Sequence, residues 1–282
     1  MSSILTNNGA MVALQTLKSV NMDLTDTQNA ISTGKEIGTA KDNSAVWAIS
    51  KTMESDIAGF EAIEEGLAIG EATVAVASAG AEQIVEKLTE IKELIVSAQS
   101  ENVDHAKIQT DIDSKVAQVD AIISAAQFNG ANLLVSDVDG NGATSMGVLA
   151  SLDRVGAGGT VTAVEITIAT VDFESSLDLT TNLTSIADTT SAASALADIE
   201  TFLQTAITGA AALGASAARL EDQSEFVGNL VDSMTLGVST MTDTNMEEAS
   251  ARLSALQTQQ ELAVQSLTIA NEAPGSLLQL FR

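Results

Sequence analysis

The sequence contains no cysteine and no tyrosine, one proline, one tryptophan, and aromatic residues at only 2% of its 282 positions. Without thiols it builds neither a disulfide framework nor a thiolate metal site. The aromatic bulk on which compact enzyme cores draw is missing. A single proline leaves helices almost without internal breakers. Basic residues are scarce as well: 12 Lys and Arg stand against 38 Asp and Glu, for a net charge of −26. That balance excludes the basic footprint of a nucleic-acid binder and disfavours an anionic membrane surface. No run approaches 18 consecutive apolar residues, so no membrane span is expected. The opening segment Met1-Ser2-Ser3-Ile4-Leu5-Thr6-Asn7-Asn8 lacks the basic and apolar regions of a cleaved signal peptide, so secretion would need another route.

What is present is aliphatic. Hydrophobic residues make up 45% of the chain, too many for wholesale disorder. Ala, Leu, Ile and Val recur at helical spacing, which predicts long helices packed side by side. Residues 3–32 read as a helix with a seam of Ala10, Leu14, Leu17, Leu24 and Ile31, ended by Gly34 in the left-handed position. A connector follows, with Asp42 or Asn43 as the next N-cap. Residues 44–100 then read as one helix, roughly 80 Å long at 1.5 Å per residue. Its Gly66, Gly70 and Gly80 each cost about 1 kcal/mol against Ala, which predicts close approach of neighbours there. Another helix spans 104–127 and stops at Gln127-Phe128-Asn129-Gly130. The alternation of Val164, Ile166 and Ile168 with polar or small residues marks a strand in 137–185, the one region of β character. A helix resumes near Ser191 and passes Leu236, and Gly237 to Asn245 reads as a looser stretch. The last helix carries Leu253, Leu256, Gln260, Ala263, Leu267 and Ala270 on one seam, followed by the apolar tail with Leu277, Leu278, Leu280 and Phe281. The expected fold is mainly α: long antiparallel helices in a hairpin-like rod, with a terminal coiled coil and a small β-hairpin insert.

Charge is distributed unevenly. Residues 1–45 are net −1 and residues 236–282 net −3, which leaves −22 of the −26 in the middle. Surfaces covered in an assembly shed charge, whereas exposed ones keep it. The two ends are therefore expected to pair with each other and with other copies, while the middle faces water.

Catalytic constellations are weak. Asp137-x-Asp139-x-Asn141-Gly142 matches the first half of a calcium loop, but Val148 stands where the bidentate Glu belongs, which favours a turn. His105 is the only histidine and lies at a polar helix junction, with no second His or Cys to complete a metal or nucleophile site. The pairs Glu64/Glu65 and Glu247/Glu248 lack the Glu-x-x-His partners of a di-iron bundle and read as solvated faces. Trp47 reads as a packing anchor, and Asn182-Leu183-Thr184 is a sequon of a kind common by chance. The chain is not expected to be an enzyme, and no cofactor is implied.

Three segments carry a resemblance. Ala30-Ile31-Ser32-Thr33-Gly34-Lys35 with Ala40-Lys41-Asp42-Asn43-Ser44-Ala45 resembles the N-terminal signature of bacterial flagellins. Gln127-Phe128-Asn129-Gly130 with Leu133-Leu134 resembles the motif that closes their N-terminal part. Ala270-Asn271-Glu272-Ala273-Pro274-Gly275 followed by Ser276 to Arg282 resembles their C-terminus. The match spans about residues 1–135 and 190–282. It implies a short flagellin without large outer domains, divided into 1–45 and 237–282 (an inner coiled-coil domain), 46–136 and 189–236 (a helical rod domain) and 137–188 (a short exposed β and loop insert). It implies a homopolymer with other copies and any sister flagellins, sited outside the cell. The partners it implies are the flagellar export apparatus, an export chaperone, and hook-junction and cap proteins. Leu14, Leu17, Leu24, Ile31, Leu253, Leu256, Leu267, Leu277, Leu278, Leu280 and Phe281 would carry assembly. A hook–filament junction protein and a soluble helical binding or chaperone protein are the alternatives. The chain departs from the pattern at Val46-Trp47, where Gly-Leu is usual. It departs again in the segment Leu88, Glu90, Lys92 and Leu94, which matches the one recognised by the animal Toll-like flagellin receptor. There Glu90 replaces a basic residue, which implies weak or absent receptor activation.

Overall fold

Aliphatic residues at steps of three and four, with polar caps between the runs, fold most of the chain into helices. The computed structural model describes residues 6–154 and 159–279, the side chains of residues 274 and 276–279 aside. Among them the order is α1 (Asn8–Thr33), α2 (Ser44–Ser97), α3 (His105–Ala125), β1 (Gln127–Phe128), β2 (Ala131–Asn132), β3 (Ser145–Arg154), β4 (Val161–Ala169), α4 (Phe173–Ser176), α5 (Leu179–Asn182), α6 (Thr189–Thr242) and α7 (Met246–Gln279). The fold is mainly α, as expected, with two small antiparallel strand pairs, of which β1–β2 lies outside the one region of β character read from the sequence.

The caps follow elementary chemistry. Asn7 Oδ1 accepts the Ala10 amide at 3.1 Å and starts α1, and Gly34 ends it at φ 71°. Asn43, rather than Asp42, caps α2, accepting the Ala45 and Val46 amides at 3.2 Å each. Asp42 instead staples the connector, accepting the Thr39 amide at 2.8 Å and its hydroxyl at 3.0 Å. Asp104, Asp188 and Asn245 cap α3, α6 and α7. The stretch from Gly237 is not loose: α6 stays helical to Thr242, and only Asp243 to Asn245 break it. Its threonines return their hydroxyls to carbonyls one turn back, Thr240 to Leu236 at 2.8 Å and Thr242 to Val238 at 2.9 Å. This keeps polar side chains satisfied inside a helix.

The chain forms two compact units, a terminal one of Met1–Ile57 with Ser233–Arg282 and a central one of Ala58–Asp232. In the central unit α2 and α6 run antiparallel, joined by Lys92 Nζ to Glu200 Oε2 at 2.7 Å. Phe60, Ile63, Leu67, Val74, Ile84, Leu88, Ile91 and Ile95 of α2 are buried, as their spacing predicts. On α6 the buried residues include Ala192, Ala195, Ile199, Phe202, Ala206, Leu213, Leu220 and Val227, while the large aliphatic Ile207 is exposed. Small alanines, not only large aliphatics, set that face.

The β3–β4 hairpin carries a bulge at Ala150, between the paired residues Leu149 and Ser151. A bulged residue leaves the strand ladder, and the released Ala150 carbonyl is taken by Gln223 Nε2 of α6 at 2.9 Å. The short β1–β2 hairpin turns through Asn129 and Gly130, both at positive φ, the arrangement of a tight hairpin turn.

Glycine marks the close approaches. A Cβ at Gly70 would lie 2.8 Å from Val148, and one at Gly80 3.0 Å from Ala126. Gly66, by contrast, has open space. The tightest position is Gly209 of α6, where a Cβ would meet Val171 at 2.4 Å and the fully buried Phe173 ring at 2.6 Å. The Gly209→Ala variant is expected to lose about 1–3 kcal/mol of unfolding free energy by over-packing, read from urea denaturation; unchanged stability would contradict this packing.

Acid is expected to unfold the protein through its caps and ion pairs. Hydrogen bonds from Lys115 and then Lys87 hold Glu90 below the usual carboxyl range. The Lys107 side chain and amide do so for Asp104, and the Ser191 amide for Asp188. A depressed carboxyl stabilises the fold above its unfolded pKa and loses that contribution as pH falls through the folded value. The urea midpoint should hold between about pH 7 and about pH 5 and drop below about pH 4; a midpoint that rises below about pH 4 would contradict it.

Candidate assembly interface

The terminal unit is built on α1 and α7. On α1 the seam residues turned from solvent are Ala10, Ala13, Leu17, Val20, Leu24, Thr27 and Ile31, with Ala30 half-buried beside them; on α7 they are Ala249, Leu253, Leu256, Gln260, Ala263, Leu267 and Ala270. Each set alternates steps of three and four, the spacing of a coiled-coil seam. Val20, Leu256, Ala249 and Ala263 are the most deeply buried of its apolar residues. The alanines on both sides make the seam narrow. Thr27 fits within it because its hydroxyl donates to the Asp23 carbonyl at 2.8 Å.

Polar contacts fix the antiparallel register. Gln260 Nε2 donates to Asn21 Oδ1 at 2.6 Å. Near the far end, Asn7 Nδ2 donates to the Ala270 carbonyl at 2.6 Å. Proline has no amide hydrogen, so Pro274 inside α7 leaves the carbonyl four residues earlier without its helical donor. That carbonyl belongs to Ala270, and Asn7 supplies the missing hydrogen bond while also capping α1. At the other end the two helix breaks are zipped backbone to backbone. The Thr244 amide donates to the Gly34 carbonyl at 3.0 Å, and the Glu36 and Ile37 amides donate to the Thr242 carbonyl at 2.7 and 3.2 Å. Beside the zip, Glu54 bridges Lys51 at 2.5 Å and Lys35 at 3.3 Å; the Lys51 hydrogen bond first, and Lys35 next, hold its carboxyl below the usual range. The adjacent cleft, about 480 Å³, is lined by Asp23, Asp26, Glu36 and Glu248 with Arg252 among them. That lining is unlike the apolar walls of a small-molecule site.

The residues expected to carry assembly are only partly brought together. Leu17, Leu24, Ile31, Leu253, Leu256 and Leu267 lie on the seam. Leu14 does not: it is 58% exposed, and Ala13 occupies the seam position. A step of four from Ala10 rotates past the partner, where the seam needs a step of three. Leu277 and Leu278 fall within α7, while Leu280 and Phe281 lie outside the described residues. Ala13, Val20, Thr27 and Ala249 were not singled out from the sequence, although strict three-four alternation through small and polar residues marks them.

Leu14 belongs to a second apolar face. Met11, Leu14 and Met22 are each about 60% exposed on α1, as are Leu262 and Ile269 on α7. Residues eleven apart on a helix differ by about 20° in direction, so Met11 and Met22 point the same way, away from the seam. The pair of helices is thus apolar on its outside as well as between its members.

The remaining candidates lie elsewhere. In α2, Leu88 is fully buried and offers nothing to a partner. Glu90 is held by Lys115 and Lys87, Lys92 pairs with Glu200, and Leu94 is half-buried. The Asp137 to Asn141 loop closes on itself, with Asp139 Oδ1 accepting the Asn141 amide at 3.0 Å. Val148 is buried in β3. His105 donates from Nε2 to the Ala98 carbonyl at 2.9 Å and ties off the end of α2.

Comparison with known proteins places both helical regions in one family. Residues 4–138 match the bacterial flagellin N-terminal helical region, and residues 196–281 match the bacterial flagellin C-terminal helical region. A flagellin of Brucella melitensis is 40% identical over 289 residues, covering all of both chains. Flagellin FljM of Caulobacter vibrioides is 38% identical over 285 residues, covering all of this chain and 99% of that one. Among solved structures, Bacillus cereus flagellin has a TM-score of 0.40 at 15% identity, covering 67% of this chain and 94% of that chain. With both helical regions matched in order and relatives aligned from end to end, the chain belongs to the bacterial flagellins.

Proposed function

We propose that this flagellin is the subunit of an extracellular flagellar filament used for swimming, polymerising through its N- and C-terminal helices. The observation that carries the reading is the doubly apolar terminal pair: a seam between α1 and α7, and exposed Met11, Leu14, Met22, Leu262 and Ile269 on its outer faces. Ordering α1 and α7 costs about 1–2 kcal/mol per residue in backbone entropy, and one narrow, alanine-rich seam is poorly placed to offset it. Neighbouring copies would add the missing burial. Head-to-tail contacts between copies propagate a filament when their rotation does not close into a ring.

Residues 1–45 and 237–282 would form the inner coiled-coil domain, 46–136 and 189–236 the rod domain, and 137–188 the outward insert. The subunit would travel unfolded through the flagellar type III apparatus with an export chaperone, and add beneath a cap beyond the hook-junction proteins. Leu277, Leu278, Leu280 and Phe281 would extend the apolar contact at the end of α7.

Shearing filaments from cells and identifying their main polypeptide tests the assignment. This chain is expected as that component, and deleting residues 267–282 is expected to abolish filaments while the central unit stays folded by circular dichroism. Filaments made of another polypeptide, or a truncated chain that still polymerises, would overturn it; a strain lacking this chain that loses only filament attachment would point to a junction protein.

A second expectation concerns the receptor-like segment. With Glu90 replacing a basic residue and engaged by two lysines, and with Lys92 engaged by Glu200, a receptor expecting a cation meets a carboxylate. Charge reversal at an interface hot spot costs several kcal/mol, about 3 or more. Reporter cells should respond weakly or not at all; potency equal to that of an arginine-bearing flagellin would refute this.

A further inference from the structure

Methionine is distributed very unevenly in this chain. Among the described methionines only Met146 lies in the central unit; Met11, Met22, Met53, Met234, Met241 and Met246 belong to the smaller terminal unit. Three of these stand in solvent: Met11 is 61% exposed, Met22 58% and Met246 47%. Met11 and Met22 share the outer face of α1 with Leu14, and Met246 opens α7. Leu or Ile would supply similar apolar area without an oxidisable atom. Methionine supplies a flexible, polarisable contact that re-packs against differing neighbours, together with a thioether that peroxide reaches whenever it is uncovered.

We propose that Met11, Met22 and Met246 are oxidation sites that gate polymerisation, open to hydrogen peroxide in the free subunit and shielded once neighbouring copies cover them. This rests on the assembly reading above. The sulfur lone pair attacks one peroxide oxygen and the O–O bond breaks. The other oxygen departs as hydroxide, takes up the proton that the sulfur-bound oxygen gives up, and leaves as water. Each thioether is oxidised by two electrons to a sulfoxide, and each peroxide is reduced. The sulfoxide oxygen is a strong acceptor on a side chain that must enter an apolar contact. Buried without a donor, it weakens that contact. Reductases of the methionine sulfoxide class reverse the step, one for each epimer. The gate is therefore resettable for a subunit still in reach of them.

The test uses the full chain. Purified subunit is treated with hydrogen peroxide, the excess is removed with catalase, and the protein is added to sheared filament seeds. Pelleted polymer is then measured. The yield is expected to fall about tenfold, the factor that one unpaired buried polar group produces. The triple variant Met11→Leu, Met22→Leu, Met246→Leu, treated alike, should stay within about twofold of its untreated yield. Peptide mass spectrometry of the wild-type reaction gives a second readout that needs no variant. Sulfoxide at Met11 and Met22 should be depleted from the pellet and enriched in the supernatant, while sulfoxide at Met146 should divide evenly. Undiminished polymerisation with both sites oxidised, equal loss in the triple variant, or even partition of sulfoxide at Met11 and Met22 would each overturn the proposal. Untreated subunit that never adds to seeds would instead overturn the assembly reading, and this inference with it.

Discussion

Everything in the terminal unit depends on bringing together segments at opposite ends of the sequence. Asn7 and Ala270, bonded at 2.6 Å, are 263 positions apart. Closing a flexible loop of that length costs about 5 kcal/mol before any constant term. The seam that opposes this cost is narrow and rich in alanine, so burial along it is modest. Polar and backbone contacts therefore carry much of the specificity: the zip at Gly34 to Ile37 sets one end, the Asn21–Gln260 bond the middle, and Asn7 the other end. Alanine lets the helices approach, and the hydrogen bonds decide where along each other they stop.

Charge works in the same direction. The ends are almost neutral, and the central part carries nearly all of the −26. In the central unit Glu64, Glu71, Glu221, Glu225 and Asp232 line one groove between α2 and α6. Carboxylates gathered in this way repel one another and hold counterions, an effect that salt screens over about 8–10 Å. Such a surface stays soluble and resists sticking to its own kind. The terminal unit does the opposite, showing methionine and leucine where charge would prevent contact.

Much of this was legible in the sequence. Long helices followed from aliphatic spacing, Gly34 was readable as a left-handed stop, and Gly70 and Gly80 as close approaches. The strand at Val164 to Ile168 showed its alternation. Other features were hidden for physical reasons. Leu14 looked like a seam residue because it is large and apolar, whereas the seam position belongs to the smaller Ala13. Thr240 and Thr242 lie in the stretch that reads as loose, yet each satisfies its hydroxyl within the helix. The burial of Leu88 beside half-exposed Glu90 depends on which face of α2 meets its neighbours, a matter of tertiary packing. The role of Asn7 was out of reach, because the carbonyl it serves is freed by a proline at the other end of the chain.

The zip between the two helix breaks has an evolutionary consequence. It is made of main-chain amides and carbonyls, so the side chains at Glu36, Ile37, Asp243 and Thr244 do not form it. Those positions can drift in charge and size without moving α1 along α7. The exception is proline, which at position 36, 37 or 244 would delete a donor. Register is thereby insulated from most mutation at the junction, and surface chemistry there is free to diversify between lineages while the pairing of the ends is inherited unchanged.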